Sequence, residues 1–65
     1  MTPHMRRKRE LLAMPTDEII AIWKRLKQKA PGEITNEEIS FRGSRALVEQ
    51  EFVGEILELE FGNGD

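Results

Sequence analysis

The chain is short and contains no cysteine. Together these two facts limit the fold more than any motif does. A domain of 65 residues buries only about 60% of the surface that its unfolded chain exposes. Domains of this size usually depend on disulfides, a metal or association. Without cysteine there are no disulfides and no thiolate metal sites, and the composition fits a reducing compartment, so a cytoplasmic location is expected. The one histidine, His4, has no second ligand candidate near it in sequence. Helix packing, self-association or a partner protein is left to support the fold.

No apolar run approaches the roughly 18 residues that suggest a membrane span, and no membrane partner is expected. Met5-Arg6-Arg7-Lys8-Arg9 followed by Leu11-Leu12-Ala13-Met14 has the look of a signal peptide, but Pro15-Thr16-Asp17 cuts the apolar stretch too short. His4-Met5 resembles a cloning junction, so residues 1–4 are given no functional weight.

The pattern of the remainder is helical. Pro15-Thr16-Asp17-Glu18 reads as a helix start, with Thr16 as N-cap and two carboxylates in the first turn. Over Asp17 to Lys29, residues Ile19, Ile20, Ile22, Trp23 and Leu26 share one face, which places Trp23 in the core. Ala30-Pro31-Gly32 ends that helix. Thr35 or Asn36 is the next N-cap candidate, and if Thr35 caps, Glu38 stands at capping-box spacing from it. A short helix, Asn36 to Phe41, follows. Gly43 either weakens one continuous helix or breaks it; Ser44, a good fresh N-cap, favours a break or kink there, with a last helix from Arg45 to about Glu60. Its apolar stripe is Val48, Phe52, Ile56 and Leu59, widened by Ala46, Val53 and Leu57. Leu57-Glu58-Leu59-Glu60-Phe61 also alternates with the period of a strand, so a strand paired across a dimer is the alternative for 55–61.

The expected fold class is all-α: a small helical hairpin or three-helix domain with a short middle helix, completed by dimerisation or partner docking. Residues 1–8 are expected to be a flexible basic segment, because Arg6 to Arg9 oppose the positive end of a helix. Residues 9–61 form the single helical domain, and 62–65 a disordered polar tail. The stripes Ile19/Trp23/Leu26 and Phe52/Ile56/Leu59 are wider than one hairpin covers, hence a homodimer or obligate complex.

Charge is segregated along the chain. In residues 1–30 eight cations face three carboxylates; in 31–65 two cations face nine carboxylates. The halves either neutralise each other or meet different partners. Glu51, Glu55 and Glu58 line the outer face of the last helix. With Phe52, Ile56 and Leu59 they are the candidate protein interface, suited to a partner with a basic surface.

The stretch Glu33 to Phe52 also resembles part of a helix-turn-helix. Thr35, Glu38 and Ile39 resemble its first helix, Gly43 its turn, and Ser44, Val48 and Phe52 the start and inward face of its reading helix. That resemblance implies a DNA-binding regulator. One residue is missing on each side of the glycine, and those positions pack the turn. The reading helix also carries Glu49, Glu51 and Glu55, which repel phosphate. Candidate nucleic-acid contacts are Arg6, Arg7, Lys8, Arg9, Arg42 and Arg45.

No catalytic residue, metal ligand set or cofactor is expected. Nothing pairs a base with Ser40 or Ser44, and no glycine loop precedes a helix in a way that would hold phosphate. The expected function is a small non-enzymatic regulator or adaptor acting through its acidic C-terminal helix. A DNA-binding regulator using residues 35–52 and a structural subunit of a larger assembly are the alternatives.

Overall fold

The computed structural model describes residues 1–62. It is all-α, with no strand among the described residues. The expected polar tail, 62–65, lies outside them except for Gly62. Helix α1 spans Pro3–Leu12, α2 Thr16–Leu26 and α3 Asn36–Phe41. A continuous last helix comprises α4 (Arg45–Leu47), a π-helical stretch (Val48–Val53) and α5 (Gly54–Phe61).

Residues 1–8, expected to be flexible, carry most of α1. Thr2 caps it by accepting from Met5 N–H at 3.1 Å, and Pro3 occupies the first turn. The cations that should oppose a helix start are offset by tertiary contacts. Arg7 reaches Glu60 through both Nε and Nη2, each at 3.0 Å, and its Nη1 lies 3.2 Å from Glu10. Leu11 is fully buried and fastens the helix to the core.

The other starts and stops follow the local sequence. Thr35 caps α3 by accepting from Glu38 N–H at 3.1 Å. Ser44 caps the last helix by accepting from Leu47 N–H at 3.4 Å. Pro15, not Thr16, occupies the cap position of α2, and the Thr16 hydroxyl accepts from Arg45. Helix α2 ends earlier than Lys29. Gln28 adopts φ 61°, Lys29 N–H bonds Lys24 O at 2.9 Å and Gln28 N–H bonds Arg25 O at 3.1 Å. This is a Schellman closure with glutamine where glycine is usual.

The core is Leu11 from α1, Ile19, Ile20 and Trp23 from α2, and Val48, Phe52, Val53, Ile56 and Leu57 from the last helix. The Trp23 and Phe52 rings meet edge to face at 4.8 Å, and Phe41 adds a third ring 6.1 Å from Phe52. One part of the expected stripe fails. Leu59 is 46% exposed and Ala46 is exposed, while Leu57 is buried. A π turn holds an extra residue, which rotates the stretch after it so that Ile56 and Leu57 stay in the core and Leu59 turns out of it. The period-two stretch 57–61 is helix, and Phe61 closes on His4 of α1.

Arg45 ties the layers together. Its guanidinium donates to Leu12 O at 3.0 Å, Met14 O at 2.8 Å, the Thr16 hydroxyl at 3.0 Å and Glu49 at 3.0 Å. It thereby holds the α1–α2 turn against the last helix. Arg45→Ala should cost about 2–3 kcal/mol, because hydrogen bonds to a charged group are each worth more than neutral ones and several go together. Urea unfolding followed by circular dichroism would measure this, with Arg45→Lys recovering little, since one ammonium cannot reproduce the fork.

Candidate protein-docking surface

Ion pairs join helix α3 to α2. Lys24 and Glu38 are each only 6% exposed. Lys24 Nζ lies 2.7 Å from Glu38 Oε1, at a poor angle for a hydrogen bond, which makes the contact an ion pair. Arg42 Nη1 donates to the other oxygen, Glu38 Oε2, at 2.6 Å, and Arg42 Nη2 meets Asp17. The Lys24 ammonium holds the Glu38 carboxyl below the usual carboxylate range against the opposing push of burial, and Arg42 acts in the same sense as Lys24.

Around this buried pair the surface turns apolar. Ile34 is 63% and Ile39 68% exposed. Both line one shallow depression with Pro31, Gly32 and Gly43, whose floor includes Lys24 and Glu38. Relative to the Thr35 cap they occupy the two positions of a hydrophobic staple, the one before the cap and the fourth of the helix. Staple spacing gives a local reason for two isoleucines here, and most of both side chains lies in water. Sequence reasoning missed the pair as a surface feature; staple spacing around Thr35 was the signal that could have found it.

The expected interface residues are not brought together. Phe52 and Ile56 are 1% and 0% exposed, inside the chain's own core. Glu55 turns inward: its Oε1 accepts from Trp23 Nε1 at 2.9 Å and its Oε2 from Lys27 at 2.8 Å. Lys27 and then Trp23 hold its carboxyl below the ordinary range. Of that set, Glu51, Glu58 and Leu59 remain exposed on the outside of the last helix.

The expected nucleic-acid contacts are dispersed. Arg45 is directed into the chain, Arg42 is held by Glu38 and Asp17, and Arg7 by Glu60 and Glu10. Arg6, Lys8 and Arg9 lie exposed on α1, without an ion pair among the described residues. Ile39, which resembles the inward residue of a first helix-turn-helix helix, faces solvent, and Glu38 takes the buried position.

Among the described residues no three metal-ligating side chains gather, and no helix is long and apolar enough to cross a membrane. Comparison with known proteins finds no matching family model, no similar curated protein and no similar solved structure.

Proposed function

We propose that this chain is a small non-enzymatic adaptor or regulator that acts by docking a protein partner on the Ile34–Ile39 face of α3. The observation that carries this reading is the exposure of both isoleucines on one depression above a buried ion pair. Aliphatic side chains beside a rigid polar floor suit a partner's apolar anchors, and burying one such side chain is worth about 1.5–3 kcal/mol. Association through the wide apolar stripes has less support than it had from sequence, because α1 and the π stretch let one chain bury them. Self-association through the isoleucine face remains one form that partner docking could take.

Tagged protein should capture a partner that the Ile34→Ser, Ile39→Ser double variant loses. That variant should remain folded, with a stability change of about 1 kcal/mol or less, since both side chains are mostly in water. Glu51→Lys with Glu58→Lys should leave capture intact. The opposite pattern would move the interface to the acidic C-terminal helix. Tight, salt-sensitive binding to duplex DNA that is lost on reversing Arg6 and Arg9 would instead favour a nucleic-acid regulator.

A further inference from the structure

The depression beside Ile34 and Ile39 continues into a second cleft, of about 520 Å³, between α2 and α3; both are walled by Lys24, Pro31, Glu38 and Arg42. The charges lining the second cleft do not balance. Its cations are Lys24, Arg25, Lys29 and Arg42, and its carboxylates are Asp17 and Glu38. Both carboxylates are already engaged, Glu38 by Lys24 and Arg42, and Asp17 by Arg42. Two cations are left over. Arg25 is exposed, with no ion pair among the described residues. Lys29 has only a loose contact with Glu33, at 3.9 Å. Pro31, exposed and shared by both depressions, adds apolar surface between them, and Ala21 adds more within the second cleft.

We propose that the occupant of this joined surface is an acidic aliphatic peptide segment. Its aliphatic side chains lie on Ile34, Ile39 and Pro31, and its carboxylates lie over Arg25 and Lys29. This inference rests on the reading of the Ile34–Ile39 face as a docking surface. It adds the chemistry of what docks and the direction in which the segment lies. A carboxylate over the α2 side meets the unbalanced cations. A basic segment brings like charges together there, which costs specificity as well as affinity.

A random peptide library displayed on phage, selected against the whole chain, tests this. The enriched sequences should pair aliphatic residues with flanking Asp or Glu. An enriched peptide, measured by fluorescence polarisation, should bind about tenfold or more weakly to the Arg25→Glu, Lys29→Glu variant, and more weakly as salt rises. Ile34→Ser with Ile39→Ser should abolish binding. The milder Arg25→Gln, Lys29→Gln pair guards against a folding defect and should show a smaller loss in the same direction. Neutral or basic aliphatic peptides that need the isoleucines but ignore both charge changes would overturn the acidic occupant and leave the docking face standing. Acidic peptides that ignore the isoleucines and depend on Arg6 and Arg9, or no enrichment at all, would overturn both.

Discussion

Trp23→Ala should leave the chain largely unfolded at room temperature. The indole is 1% exposed and sits edge to face on Phe52 at the centre of the core. Removing so large a buried ring costs about 3–5 kcal/mol in lost burial and residual cavity. The core of a domain this small rarely supplies more than about 3–5 kcal/mol in total. Circular dichroism should therefore show most of the helical signal gone, and urea unfolding should show no pre-transition baseline. Trp23→Phe separates the ring from its polar edge. It keeps most of the packing and loses the hydrogen bond from Nε1 to Glu55, which should cost about 1 kcal/mol or somewhat more. A folded Trp23→Ala variant that had only lost its partner would make Trp23 a recognition residue and refute its place in the core.

The second large effect is expected at the Lys24–Glu38 pair. Glu38→Ala strands a nearly buried ammonium, and breaking a buried pair from one side typically costs about 3–5 kcal/mol. The low end of that range is expected, because Lys24 Nζ also reaches Pro31 O at 3.5 Å. Lys24→Met should cost less than Glu38→Ala, since Arg42 still holds the carboxylate. Replacing both residues with apolar ones should recover much of the loss, as exchanging a whole buried pair for packing is often neutral. A double-mutant cycle measures the coupling directly.

The same pair sets a dependence on pH. Glu38 has its folded carboxyl held below its ordinary value of 4.5 by Lys24 first, with Arg42 adding to it. A carboxyl depressed on folding stabilises the native state above its unfolded pKa, and that stability is lost as pH falls through the folded value. Glu55, depressed by Lys27 and Trp23, works in the same direction. Stability should therefore be level from neutrality down to about pH 4.5 and fall below it. Glu38→Gln should flatten part of that acid limb; an unchanged limb would show that Glu38 is not linked to folding.

Much of the helical framework was legible in the sequence because its causes are local. Thr35 and Ser44 are caps wherever a helix starts after them, and Trp23 lies in an isoleucine stripe that has to be buried. What the tertiary structure decided depends on contacts between residues far apart in the chain. Helix α1 forms over a basic run because Glu60 meets Arg7 and Leu11 reaches the core. The π stretch turns Leu59 out of the core and keeps Leu57, at the margin of the expected stripe, in it, a shift that regular helical periodicity does not register. Arg42 and Arg45 look free in sequence and are used inside the fold, and Lys24, outside the isoleucine stripe of its helix, is buried against Glu38 of another helix. Ile34 and Ile39 are the reverse case: their spacing is local, but only the packing of α3 on α2 shows which side of α3 remains in water. Hydrophobic patterning reports which residues favour burial, and the geometry of assembly determines which charges find partners and which apolar groups are left without them.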